Sequence, residues 1–182
     1  MQHTLKEYCK TLPDISLDRH KYDNSNSEWF LKLQLTKNEK EMHDIVAEYK
    51  NEILGNDKDL YYNIVYRDNC DDNYNLNWHL DDRILQKHQI GLSKDLDVLF
   101  IKNNYEYSLW NRRPDKKILK RTIIIYLSSI NEDFLGGELE FLDEVIIPKS
   151  GITISFNNYD LHRVRKLKAG HRKVIVIKIY ND

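Results

Sequence analysis

"RTIIIYLSSINEDFLGGELEFLDEVIIPKSGITISF", residues 121–156, is the stretch on which the fold turns. It holds short β-rich runs at 121–129, 137–142, 144–148 and 151–156, separated by "GG" at 136–137 and "PKSG" at 148–151. Gly and Pro at such points punctuate a chain into strands and turns. Working outward, "LYYNIVY" (60–66), "LDVLFIK" (96–102) and "RKVIVIKIY" (172–180) read the same way, with further turn signals at "NNYD" (157–160) and "AGH" (169–171). No helical pattern alternates with these runs. Many short strands joined by polar turns predict an antiparallel sandwich or barrel, not a parallel sheet with crossover helices. The mouth of a barrel is a favoured place for a small-molecule site.

Upstream the pattern is mixed. "WFLKLQL" (29–35) alternates and predicts a strand. "TKNEKEMHDIVAEYKNEILG" (36–55) carries Met42, Ile45, Val46, Tyr49 and Ile53 at helical spacing, so a helix over about 36–54 is expected. Thr36 with Glu39 forms a capping box, and Gly55 stands where a C-terminal cap belongs. One apolar stripe implies that this helix packs on a sheet. The expected organisation is a single domain over 1–182, with a supporting segment at 1–58 and a β core at 59–182. The core is interrupted by an insertion at about 83–121. That insertion ends in "YSLWNRRPDKK" and is a candidate lid, since long loops in compact domains are usually functional or carry structure of their own.

Composition narrows the classes. A chain of 182 residues, 41% hydrophobic and 31% charged, is long enough to bury a core without covalent staples. Its longest apolar runs fall far short of the roughly 18 residues a membrane helix needs, so no membrane segment is expected. Cys9 and Cys70 lack a CxxC spacing, which gives neither a disulfide framework nor a thiolate zinc site. The opening "MQHTLKEYCK" lacks a cationic region followed by an apolar one, so the expectation is a cytoplasmic or other reducing intracellular compartment. The net charge of −1 argues against a chain that is basic all over. The local runs "NRRPDKKILKR" (111–121) and "HRVRKLKAGHRK" (162–173) are cationic, and read either as solvated faces or as a positive rim around an anion site.

"NWHLDD" (77–82) concentrates ligand-type side chains. In a strand, residues i and i+2 share a face, so His79 and Asp81 are placed to reach one metal while Asp82 points away. Trp78 is expected on the outward side of the strand. An HxD triplet alone is more often a surface loop. His162, in "NNYDLHRV" within the β-rich half, is the candidate third ligand; the alternative is a core histidine bonded to Tyr159 or Asp160. Two histidines and one carboxylate on one face of a metal are diagnostic of non-haem Fe(II) oxygenases. Ten residues later Arg172 opens an apolar strand. It is either a bidentate anchor for a carboxylate or an ordinary strand-end charge.

The ordered set "WHLDD", "TIIIYLSSINEDFLGGELEF" and "VIIPKSGITISFNNYDLHRVRKLKAGHRKVIVIKIY" resembles the 2-oxoglutarate and Fe(II)-dependent dioxygenases, in their prolyl 4-hydroxylase-like branch. The likeness runs from about Tyr62 to Tyr180. It comprises HxD, a strand ending in Tyr-Leu, Gly-Gly-Glu-Leu, Pro-x-x-Gly, a second His and a basic residue about ten positions on. The resemblance implies a mainly β fold with a supporting helix, a double-stranded β-helix or jelly roll. It also implies Fe(II) on His79, Asp81 and His162, and 2-oxoglutarate as cosubstrate, its distal carboxylate held by Arg172 and Tyr126. Tyr66 is a further candidate for the cosubstrate pocket. Dioxygen is the co-reactant and ascorbate a candidate reductant. Gly136, Gly137, Pro148 and Gly151 take scaffold roles. The family position of Arg172 is Lys in many prolyl 4-hydroxylases and Arg in other branches, and the 83–121 segment is longer than the family spacing.

The leading expectation is a hydroxylase of peptidyl proline or lysine, releasing succinate and CO2, with a peptide, a protein or a small molecule as its partner. A second reading is an oxygenase of the same class acting on nucleic acid or on a small metabolite such as a free amino acid. There Trp110, Arg112 and Arg113 would stack a base and meet phosphate. A non-enzymatic cupin-like binding module is the third, and a module without catalysis has no need of His79, Asp81, His162 and Arg172 together.

Overall fold

A computed structural model of the chain describes residues 19–70, 74–79, 81, 119–141, 143–158, 160 and 162–181. The described chain opens with β1 (His20–Asp23), then α1 (Glu28–Leu35), α2 (Glu39–Glu48), α3 (Lys50–Ile53) and a 3-10 turn at Gly55–Asp57. After β2 (Tyr61–Asn69) and β3 (Leu76–His79) come β4 (Leu119–Tyr126), β5 (Phe134–Gly136), β6 (Leu139–Phe141) and β7 (Val145–Ile146). The chain closes with β8 (Ile152–Asn157), β9 (His162–Val164), β10 (Leu167–Gly170) and β11 (Arg172–Tyr180). These strands form a five-stranded sheet in the order β1-β8-β4-β11-β2, a four-stranded sheet in the order β3-β9-β6-β7, and the pair β10-β5. Every strand pairing within the sheets is antiparallel. Two antiparallel sheets closed on an apolar interior are the expected jelly roll, and mainly β character with supporting helices holds.

The large sheet is buried on both faces, which explains why β4 and β11 are apolar runs instead of alternating ones. On one face Ile123, Ile125, Ile175, Ile177, Ile179 and Ile64 meet the helices through Trp29, Phe30, Leu33, Met42 and Val46. On the other, Ile124, Tyr126, Ile154, Phe156 and Val174 meet Leu139, Phe141, Ile146 and Val164 of the small sheet. Strand parity therefore sorts β11: Ile175, Ile177 and Ile179 face the helical layer, and Arg172, Val174, Val176 and Lys178 face the interior of the sandwich.

Three local expectations are corrected. Residues 29–35 are helical, not a strand: Trp29, Phe30 and Leu33 are buried, whereas Leu31 and Leu35 are 48% and 80% exposed. A strand would have put 29, 31, 33 and 35 on one face; the observed set is one face of a helix turn. The cap also moves. Thr36 closes α1, donating from Oγ1 to the Leu33 carbonyl, and the N-cap of α2 is Asn38, whose Oδ1 accepts from Glu41 N at 2.9 Å. Finally, the single helix of 36–54 breaks at Tyr49 into α2 and α3. Gly55 follows α3 with φ +59°, in keeping with its expected C-terminal role.

Gly136 and Gly137 make the expected turn, with φ of +74° and +72°. A Cβ on Gly136 would collide with the Lys166 carbonyl oxygen, so the close approach of β5 to β10 depends on that glycine. The "LDVLFIK" strand, the proposed lid, Asp82 and Tyr159 lie outside the described residues, as does the side chain of Trp78. Among the described residues, no helix is long and apolar enough to cross a membrane.

Candidate metal and anion site

A single strand pairing assembles the candidate ligands. β3 runs antiparallel to β9, and its register sets His79 directly opposite His162. Their rings lie 4.3 Å apart between centroids, as expected for side chains facing each other across a ladder. Asp81 follows the strand in a bend, so the HxD pair is one strand-end histidine and one carboxylate just beyond it. Asp81 Oδ1 lies 3.5 Å from His79 Nε2 and 3.7 Å from His162 Nε2. One ligand atom from each of the three residues falls within 4.8 Å of the others.

The surroundings fix these donors. His162 Nδ1 is 2.8 Å from the Asp160 carbonyl oxygen, which leaves Nε2 of the neutral ring as the acceptor aimed at the site. Burial, with His79 beside it, pushes His162 down to about 4 against the pull of Asp81, so the ring is neutral near pH 7. Burial raises Asp81, but Lys178, His162 and His79 outweigh it and hold the carboxyl well below its ordinary range. Thr122 Oγ1 donates to Asp81 Oδ2 at 2.7 Å, turning Oδ1 toward the histidines. A neutral imidazole at His162 and an ionised carboxylate at Asp81 are the states a divalent metal requires of them.

The three residues line an open cavity together with Arg67, Arg172 and Lys178. Arg172 is 2% exposed. Its Nε donates to the Gly137 carbonyl at 3.0 Å and its Nη2 to the Tyr126 hydroxyl at 3.4 Å. The glycine turn thus supplies the carbonyl that orients the guanidinium, and a Cβ on Gly137 would press on Arg172 Cδ at 3.0 Å. Among the described residues no carboxylate pairs with Arg172. A buried guanidinium is costly without an anion, and the groups that meet it here are a neutral carbonyl and a phenol. Burial pushes the Tyr126 phenol up against the pull of Arg172, which keeps it protonated and able to donate.

The sequence-derived residues therefore separate. His79, Asp81, His162 and Arg172 line one cavity, and Tyr126 stands behind Arg172, accepting from its Nη2. Tyr66 does not join them: it packs with the helix-side cluster, because β2 turns its even positions that way, and its neighbour Arg67 lines the cavity instead. Trp110, Arg112 and Arg113 lie outside the described residues. Sequence reading missed Thr122, Lys178 and Arg19. Lys178 had a signal, being a lone charge inside the apolar run "VIVIKIY". Arg19 had none: its guanidinium reaches Asp160 Oδ1 at 3.0 Å and lies over the Phe141 ring at 3.7 Å, contacts that only the fold creates.

No protein-family model matches the sequence, and neither does any curated protein. Solved structures do resemble it. The collagen prolyl hydroxylase of Paramecium bursaria Chlorella virus-1, solved as its 2OG complex, superposes with a TM-score of 0.56 at 18% identity, over 90% of this chain and 96% of that one. A prolyl-4-hydroxylase of Pseudomonas putida gives a TM-score of 0.54 at 11% identity, over 100% of this chain and 96% of its own. At such identities the likeness is one of fold, and the jelly roll built above is the fold shared.

Proposed function

We propose that this chain is an Fe(II)- and 2-oxoglutarate-dependent dioxygenase that hydroxylates a C–H bond. One observation carries the reading: a His-Asp-His donor set and a buried arginine that has no carboxylate partner among the described residues share one cavity. The donors fit Fe(II), since two imidazoles and a carboxylate on one side leave positions open for a chelating cosubstrate. When bound, Fe(II) with 2-oxoglutarate supplies an oxidative decarboxylation in which O2 gives one oxygen atom to succinate and one to the substrate, with loss of CO2.

The chain's own residues bind and orient. Arg172, steadied at Nε by the Gly137 carbonyl, offers its terminal nitrogens to the distal carboxylate of 2-oxoglutarate, and the Tyr126 hydroxyl stands beside them. Asp160 and Thr122 fix the ring tautomer of His162 and the aim of Asp81. Val174, Val176, Ile124 and Leu139 line the cavity between and keep it apolar, which strengthens each charged contact inside. The first substrate class to test is peptidyl proline, with lysine next, following the two fold neighbours that are named prolyl hydroxylases. Ascorbate enters as a reductant to be tested.

Succinate release with Fe(II), 2-oxoglutarate and air is the assay. The expected result is turnover, raised by a substrate and lost in His79→Ala. Absence of turnover in every condition, or turnover unchanged in His79→Ala, would sink the proposal.

A further inference from the structure

The cavity face of β11 carries Arg172, Val174, Val176 and Lys178 in succession. Two cations thus stand at opposite ends of one strand face, about 20 Å apart along the backbone by strand rise. Arg172 and Tyr126 receive the cosubstrate in the reading above. Lys178 is unassigned, although only 9% of it is exposed. Its Nζ lies 3.5 Å from Asp81 Oδ1, an ion pair longer than a hydrogen bond. Asp81 Oδ2 is taken by Thr122, and Oδ1 faces both histidines. Among the described residues, the one charge that meets Lys178 is therefore the charge a metal would use.

A second unsatisfied group adjoins it. Asn63 is the direct cross-strand partner of Lys178, and its buried Oδ1 has no hydrogen-bond partner among the described residues. Terminal amide O and N are interchangeable by rotation, so Asn63 can present a donor there. An ammonium held only by a 3.5 Å ion pair, and a cross-strand amide whose Oδ1 has no hydrogen-bond partner among the described residues, form a place for a small anion. One ammonium balances one negative charge, which favours a carboxylate.

We propose that Lys178, with Asn63 beside it, is a subsite for a carboxylate carried by the substrate, at the end of the cavity opposite Arg172. The inference rests on the metal and cosubstrate reading and narrows its substrate class. The hydroxylated molecule bears a carboxylate near the reacting C–H bond, either as a free C-terminal group or as an acidic side chain next to the target residue.

The test uses the full chain with Fe(II), 2-oxoglutarate and air, and follows succinate release with matched probes. N-acetyl amino acids, proline and lysine among them, are compared with their carboxamides. A capped neutral proline peptide is compared with one carrying aspartate beside the proline. The carboxylate member of a pair should accelerate release by about tenfold or more over its neutral partner, the equivalent of one charge-assisted hydrogen bond. The pair that responds identifies the source of the carboxylate. Lys178→Met should abolish the preference and Lys178→Arg should keep it. Equal acceleration by acid and amide in the wild type, or none by either, overturns the inference, as does a preference that survives Lys178→Met. The wild-type comparison decides the matter even where a variant fails to fold. Calorimetry of Fe(II) and 2-oxoglutarate binding separates the two levels. A chain that binds neither fails the parent reading, whereas one that binds both and ignores the carboxylate fails this inference alone.

Discussion

At the scale of single residues, Arg172 and His162 make the most exposed claims. The guanidinium of Arg172 is buried with a carbonyl and a phenol for company, so its full positive charge is available to an incoming carboxylate. Arg172→Met should weaken 2-oxoglutarate binding by roughly a hundredfold, since a charged hydrogen bond contributes about 1.5–3 kcal/mol and two are lost. Arg172→Lys keeps the charge but not the fork, and should lose about tenfold. Calorimetry with the metal-loaded protein checks both. His162 makes a claim about pH. Its folded value is pushed down to about 4 from an ordinary 6.5, chiefly by burial. Above about pH 6.5 neither the folded nor the unfolded chain holds this proton, and the contribution to stability is intact. As the pH falls from about 6.5 toward about 4, the unfolded chain takes up a proton that the folded one refuses, and stability is lost through that window. In the metal-free protein the imidazole resonance of His162 should titrate with a midpoint near 4; a midpoint near 6.5 would contradict its burial.

Among elements, the strand that carries His162 is held by more than its ladder. Arg19, just ahead of β1, binds Asp160 at 3.0 Å and also reaches Asp143 and Glu144 at 3.0 Å and 3.1 Å. The same Asp160 supplies the carbonyl that fixes the His162 ring. Phe141 lies beneath the guanidinium and also packs against His162, with ring centroids 5.8 Å apart. Partners of this kind typically govern metal affinity by about 10–100-fold. Arg19→Met should accordingly weaken Fe(II) binding by about tenfold or more while His79 and Asp81 remain in place. Unchanged metal affinity would reduce Arg19 to a tether for β1.

Across the whole molecule, the sandwich brings distant segments to one cavity, and that determines what could be read beforehand. The strands of 121–156 and 172–180 were legible because both faces of the large sheet are buried and the runs are correspondingly apolar. His79, Asp81, His162 and Arg172 were legible from their residue types and order. The meeting of His79 with His162 needed a register that no local pattern carries. Residues 29–35 misled because "WFLKLQL" alternates, yet it packs as a helix whose buried face is Trp29, Phe30 and Leu33. Tyr66 misled for a related reason: one step in strand parity separates the helix-side core from the cavity, and Arg67 holds the cavity side. Thr122 and Arg19 act through space on residues of other segments, so only the assembled sheets reveal them, whereas Lys178 stands out in the sequence as a lone charge in an apolar run. The central claim is that these parts together perform dioxygen chemistry at His79, Asp81 and His162. The direct measurement is mass spectrometry of succinate formed under heavy-isotope dioxygen in the presence of Fe(II) and 2-oxoglutarate. The account predicts succinate carrying a single labelled oxygen, and none formed by His162→Ala; unlabelled succinate, or no succinate from the wild-type chain, would contradict it.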